Sequence, residues 1–89
     1  MKRAEAVLRL MKADGRKGTK TAQVLKHLMT HKKGITPMTA FERYQLTRLG
    51  SVIFELRHKY GVSILTVNEV SEDGHTYARY ILEEVEESA

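Results

Sequence analysis

Five residues with hydrogen-bonding side chains lie at helical spacing in the second half of the chain: Thr47, Arg48, Ser51, Glu55 and His58. Steps of three, four and seven residues place such side chains on one side of a helix. The other side carries apolar residues at the same period: Leu49, Val52, Ile53, Leu56 and Tyr60. A row of guanidinium, hydroxyl, carboxylate and imidazole groups on an exposed helix face can hydrogen-bond to the edges of nucleic-acid bases. Arg48 can grip a guanine through two hydrogen bonds; alternatively, it is a surface charge that pairs with an acid such as Glu42.

A second set of basic side chains suits phosphate groups better than bases, because a flexible cation positions a protein without reading sequence: Lys17, Lys20, Lys32, Lys33, Arg43 and Lys59. The formal net charge is +4, but it is unevenly distributed. Residues 1–33 hold ten Lys or Arg and two acids, whereas residues 63–89 hold one Arg and seven acids. A basic first part favours a polyanion through counterion release, although charged side chains also serve ordinary solubility.

Signals for catalysis and metal binding are weak. His27 and His31 lie four residues apart, as two metal ligands could, but a third ligand is not apparent, and a solvated pair is the simpler interpretation. The loop from Gly15 to Lys20 lacks the spacing of a phosphate-binding loop. The chain has no cysteine, and none of its hydroxyl groups has a recognisable general base. We predict no catalytic residue, no metal site and no cofactor, and therefore a protein that is not an enzyme.

Two amphipathic helices are predicted in the first third of the chain. An apolar stripe predicts a helix over residues 3–13: Ala4, Val7, Leu8 and Met11. This stripe could dock on the core of its own chain or form a homodimer. The second helix begins near Thr19 or Thr21 and runs to about residue 32, with Gly34 as its C-terminal stop.

Two further helices and a hairpin follow. Thr36 and Pro37 begin a short helix that breaks at residues 44–46, and Thr47 is expected to cap the helix over 47–60. Strands over 62–70 and 76–82 flank an Asp73-Gly74 turn. This order predicts a mainly α protein with a β-hairpin wing: a winged helix-turn-helix with a three-helix core and an extra N-terminal helix. We expect a helix and basic loop over 1–18, the winged domain over 19–83 and an acidic tail over 84–89 that points away from DNA.

Several short motifs occur together in one known family of proteins: Gly34-Ile35-Thr36-Pro37-Met38-Thr39-Ala40-Phe41, Arg48-Leu49, Ile53, Glu55-Leu56-Arg57 and Gly61. In these motifs the chain resembles the small helix-turn-helix domains of bacteriophages and prophages, over about residues 19–82. The resemblance implies a phage-type protein associated with DNA. The chain departs from the family's pattern at Gly50-Ser51-Val52, where a small residue and then an Arg are expected.

Two functions of different classes follow from these observations. The first is sequence-dependent binding of duplex DNA through the helix at 47–60, in a regulator of phage transcription, excision or replication. The second is an adaptor that keeps the fold but binds a host or phage protein. Its candidate partner patch is Phe54, Val7 and Met11. Phe54 could instead pack under the wing or under the preceding helix.

The sequence contains no candidate membrane span. No apolar run approaches the roughly 18 residues that a span needs. The basic start at Met1-Lys2-Arg3 is not followed by a secretory apolar segment. We therefore expect an intracellular protein, and the resemblance to phage domains implies the cytoplasm of a bacterial host cell.

Overall fold

The computed structural model describes residues 3–13, 15 and 19–83. Its helices and strands follow each other in the predicted order: α1 (Arg3–Ala13), α2 (Lys20–Thr30), α3 (Pro37–Tyr44), α4 (Leu49–His58), β1 (Ile64–Val70) and β2 (Thr76–Leu82). This order confirms the predicted mainly α class with a hairpin wing. Lys17 and most of the basic loop, like the acidic tail at 84–89, lie outside the described residues. The division of the chain at residues 18 and 83 stays a prediction.

Two helices begin at the hydroxyl caps expected from the sequence. The Thr19 side chain accepts a hydrogen bond from the Ala22 backbone N–H at 3.2 Å. In the same way, Thr36 accepts from the Thr39 N–H at 3.3 Å, and Pro37 occupies the start of α3. Each hydroxyl satisfies a backbone donor that has no partner within the helix, which is why these starts were readable from local sequence.

Gly34 has a different role from the predicted one. The helix α2 ends at Thr30, so Gly34 lies beyond the helix and not at its C-terminal stop. The next residue, Ile35, exchanges backbone hydrogen bonds with Tyr80 of β2 at 2.8 and 2.9 Å and adds a one-residue third strand. Gly34 has φ +78°, and a Cβ atom there would lie 1.9 Å from the Tyr80 carbonyl oxygen. The two backbones can therefore approach only with glycine at this position.

The hairpin strands pair antiparallel from Ile64 opposite Leu82 to Val70 opposite Thr76. The first strand begins two residues later than predicted. The Val62 backbone N–H instead donates to the Leu56 carbonyl at 2.9 Å and closes the end of α4. The hairpin thus starts directly from the C-terminal end of that helix.

The helix α2 is the centre of the core and packs against α1, α3 and α4. It contributes the buried residues Val24, Leu25 and Leu28. The predicted apolar stripe of α4 is buried at Leu49, Val52, Ile53 and Leu56, whereas Tyr60 is half-buried. Burial of this stripe leaves the opposite face of α4 outside the core.

The N-terminal helix α1 docks on the core of its own chain. Ala4, Val7 and Met11 are buried, and Val7 and Met11 are only 2% and 1% exposed. The prediction that Val7 and Met11 belong to a partner patch is therefore wrong, because α2 already covers them. The proposed homodimer through this stripe loses its apolar surface for the same reason.

Candidate nucleic-acid interface

A left-handed residue ends α3 and begins the turn toward α4. Gln45 has φ 51° and ψ 36°, and its N–H hydrogen-bonds to the carbonyls at the end of α3. The next helix is preceded by Arg48 at the N-cap, and no described side chain hydrogen-bonds there. Thr47 is therefore not the cap that was predicted, because the helix begins at Leu49 and Thr47 lies one residue too early. Its exposed hydroxyl stays available to a ligand.

Three of the predicted base-reading residues lie on α4, and the other two, Thr47 and Arg48, lie in the turn just before it. Thr47, Arg48, Ser51 and His58 are exposed, and Glu55 is half-buried at the border of the outward face of α4. Gly50 adds no side chain, and the space around its Cα is open. Within the described part of the chain, no carboxylate forms an ion pair with Arg48, so the alternative pairing with Glu42 is not seen. The arginine is free to reach outward.

Arg57 ties the end of α4 to the hairpin. Its Nε and Nη2 atoms donate to the Ile64 carbonyl at 3.2 and 2.5 Å, and Nη2 also donates to Thr66 Oγ1 at 2.6 Å. The guanidinium carbon lies 5.9 Å from the centre of the Tyr80 ring. The outward-facing helix and the hairpin are therefore held in one fixed arrangement, in the order helix, turn, helix, wing.

Residues 19–85 match the family profile of the winged helix-turn-helix domain. The chain belongs to this family. The match covers about three quarters of the chain, from the cap of α2 to just beyond β2. No curated protein and no solved structure gave a match. In DNA-binding members of this fold, the helix equivalent to α4 enters the major groove.

The candidate phosphate-binding residues of the winged helix-turn-helix domain are all exposed: Lys20, Lys32, Lys33, Arg43 and Lys59. Two of them also contact neighbouring groups. The Lys20 ammonium group donates to the carbonyl of Tyr44, which places this charge beside the turn between α3 and α4. The Lys59 ammonium group lies 5.4 Å from the centre of the Tyr60 ring.

The tip of the wing is acidic, and the basic groups of the wing are paired. His75 Nδ1 lies 2.9 Å from an Asp73 carboxylate oxygen, and Arg79 Nε lies 2.7 Å from Glu69. The hydrogen bond from Arg79 lowers the pKa of Glu69, and hydrogen bonds from Ser71 and then His75 lower the pKa of Asp73. Ionised carboxylates repel phosphates, so the wing tip of this winged helix-turn-helix domain is a poor surface for the DNA backbone.

Phe54 lies on the outward face of α4 and is 63% exposed. Its ring stacks at a tilt of 35° on His58, with 4.1 Å between the ring centres. The prediction that Phe54 packs under the wing or the preceding helix is wrong, since its place on α4 turns it away from the core. Phe54 is exposed, as the alternative of a partner patch requires, and the partner patch itself stays a prediction.

A groove between α3 and the wing was not predicted. It has a volume of about 770 Å³, and its apolar lining includes Pro37, Met38, Phe41 and Tyr77. Met38 and Phe41 are 70% and 57% exposed, and Ala40 alone is buried in α3. The apolar stretch of this short helix was the one available signal, but it equally suits a buried face.

His27 corrects the prediction of a solvated histidine pair. It is buried, and its Nδ1 atom lies 2.8 Å from the Tyr44 hydroxyl. The exposed His31 ring stacks on it with 3.9 Å between ring centres. The described residues include no group of His, Cys, Asp or Glu side chains suited to a metal ion. None of the described helices is long and apolar enough to cross a membrane.

Proposed function

We propose that this winged helix-turn-helix protein binds duplex DNA with the outward face of α4 in the major groove. The observation that supports this most directly is the exposure of Ser51 and His58 on that face, with Glu55 at its border, and of Thr47 and Arg48 in the turn just before the helix. The buried stripe opposite and the Arg57 link to the hairpin hold the helix in place. A fixed helix can present several hydrogen-bonding groups to base edges at once.

Base and phosphate contacts have separate roles in the proposal. Arg48 and Ser51 lie near the start of α4, where a recognition helix usually meets the bases. Exposed cations around the helix contact the phosphates: Lys32, Lys33, Arg43 and Lys59. Lys20 adds positive charge at the turn, and Lys17 is proposed to join them from the basic loop. Contacts of this second kind raise affinity for every sequence equally.

The biological setting is proposed from the resemblance to phage and prophage domains. We infer a regulator of transcription, excision or replication that acts on DNA in the cytoplasm of a bacterial cell. It is proposed to be a binding protein and not an enzyme.

The first experiment is fluorescence anisotropy of the full chain with a labelled random-sequence duplex at several salt concentrations. We expect binding in the micromolar range that weakens steeply as salt rises, because bound phosphates release counterions. The absence of binding at low salt would contradict the proposal.

Two alanine variants separate base recognition from phosphate contact. Arg48→Ala should weaken binding to a selected site by about 1–3 kcal/mol, with less effect on random duplexes. Lys32→Ala is the matched control and should weaken all duplexes alike. If Arg48→Ala also lowers affinity equally for every duplex, Arg48 is not a base reader.

A second candidate function is a protein-binding adaptor. The observation that favours it is the exposed apolar surface at Phe54 and in the groove lined by Met38 and Phe41. In this case no duplex would bind at low salt. Phe41→Ala would weaken binding to the protein partner, and Arg48→Ala would leave it unchanged.

A further inference from the structure

Phe54 stands alone as an apolar side chain on the outward face of α4. In the described part of this helix, no other large hydrophobic residue is exposed. The neighbours one turn away on that face are Ser51 and His58, both polar and exposed. An aromatic ring that is 63% exposed in such surroundings has no structural role that the core explains.

The Phe54 ring is held in place although it is exposed. His58 stacks on it with 4.1 Å between the ring centres, which restricts the rotamers open to both side chains. A side chain that is already ordered loses less conformational entropy on binding. The Phe54 and His58 rings are therefore preorganised for contact with a ligand on the outer side of α4.

The surroundings of Phe54 fit a base edge better than a protein surface. Protein interfaces are centred on clustered apolar and aromatic residues, whereas Phe54 is the one exposed large apolar residue of α4 and its neighbours on the outward face are the polar Ser51 and His58. The floor of the major groove has this same mixture, because hydrogen-bonding base edges are interrupted by the C5-methyl group of thymine. The exposed charge of Lys59 complements the phosphates beside the groove.

We propose that Phe54 reads thymine by contact with its C5-methyl group. This inference rests on the proposed function and adds to it a preferred base and the residue that selects it. Polar residues of the same face then recognise the neighbouring bases, and Phe54 recognises the methyl group.

The test compares an alternating adenine–thymine duplex with the same duplex in which deoxyuridine replaces thymidine. The two differ only in the C5-methyl groups. Fluorescence anisotropy of the full chain at one low salt concentration should show about fourfold tighter binding to the thymine duplex for each methyl group contacted. Phe54→Ala should bring this ratio close to one.

Phe41→Ala is the matched control. Phe41 is exposed to a similar extent, 57%, but lies on α3 and not on the outward face of α4. This variant should keep the full preference for thymine. The second pair of probes is a guanine–cytosine duplex with and without 5-methylcytosine. The methyl group of 5-methylcytosine is attached at C5, as it is in thymine. Wild-type protein should prefer the methylated form, and Phe54→Ala should not.

The outcomes separate this inference from the proposed function. Binding to both duplexes with equal affinity overturns the role of Phe54 and leaves DNA binding in place. A preference for thymine that survives in Phe54→Ala also overturns it, because the methyl group then acts through DNA shape. No binding to either duplex overturns the proposed function and this inference together. Phe54→Leu, which keeps an apolar side chain, should retain part of the preference.

Discussion

His27 joins two helices through its imidazole ring. It lies on α2, and its Nδ1 atom lies 2.8 Å from the hydroxyl of Tyr44 at the end of α3. Burial lowers the pKa of His27 below its ordinary value of 6.5, and the charges of His31 and Arg43 act in the same direction. The Gly34 backbone acts on this pKa in the opposite direction. The neutral ring is therefore the form that the folded protein favours.

Acid should destabilise the fold through His27. Because its pKa is lower in the folded state, the unfolded chain takes up the proton more readily, and the free energy of unfolding falls as the pH drops below about 6.5. Urea unfolding at a series of pH values from about 7.5 to 5 would measure this slope. The lowered pKa values of Glu69 and Asp73 place their titration below this window.

His27→Gln should remove most of the slope, at the cost of lower stability at neutral pH. The exposed His58→Gln is the control and should keep the slope. A slope that persists unchanged in His27→Gln would assign the pH dependence to other groups.

Single residues were predictable where their partners are close in sequence. Thr19 and Thr36 cap helices through bonds to backbone three residues away, so local sequence was enough. His27 was not predictable in this way, because its partner Tyr44 lies 17 residues along the chain. Thr47 failed for another reason: the helix could begin at either of two neighbouring residues, and α4 begins at the later one, Leu49.

At the scale of elements, Arg57 is the link on which the proposed interface depends. Arg57→Ala removes its hydrogen bonds to Ile64 and Thr66 and should lower the free energy of unfolding by about 1.5–3 kcal/mol. Hydrogen exchange in β1 should accelerate, since the strand loses its tie to α4. Denaturant unfolding and amide exchange would measure the two effects.

Lys59→Ala is the control for this prediction, because Lys59 is an exposed cation two residues away. It should change stability by less than about 0.5 kcal/mol. If Arg57→Ala behaves like Lys59→Ala, the wing is held by the core contacts of β2 and not by the guanidinium.

Elements were predictable in order and type, but not in their surroundings. The stripe of α4 carried a local period that the structure confirms, and the two predicted strands pair with each other, although the burial of β2 does not alternate. The exposed Met38 and Phe41 on α3 could not be distinguished from a buried face, since their environment depends on where the hairpin lies. That position is set by the Ile35 bridge to Tyr80, which joins distant parts of the chain, and by the side chain of Arg57.

At the scale of the whole molecule, α1 belongs to the core of one chain. Val7→Ala should lower the free energy of unfolding by about 2 kcal/mol because it leaves a cavity beside α2. The midpoint of thermal unfolding should not depend on protein concentration, as expected for a stripe covered within its own chain. Thermal melts at several concentrations, with light scattering, would test both points.

Leu10→Ala serves as the control on the same helix. Leu10 is exposed, and its loss should change stability little. A melting temperature that rises with protein concentration in the wild type, but not in Val7→Ala, would contradict this prediction and support a homodimer through α1. The sequence was compatible with α1 docking on its own core and with a homodimer. An amphipathic stripe indicates that one face of a helix is buried, but it does not identify the surface that buries it.

The close approach of Gly34 to Tyr80 has a consequence at the level of the gene. A single Cβ atom at position 34 would overlap a carbonyl oxygen of β2. Because every other amino acid has a Cβ atom, only glycine fits at this position. Glycine codons share their first two bases and tolerate any third. Every point mutation in the first two bases of codon 34 should therefore be lost under selection for a folded product, whereas changes in the third base should accumulate freely.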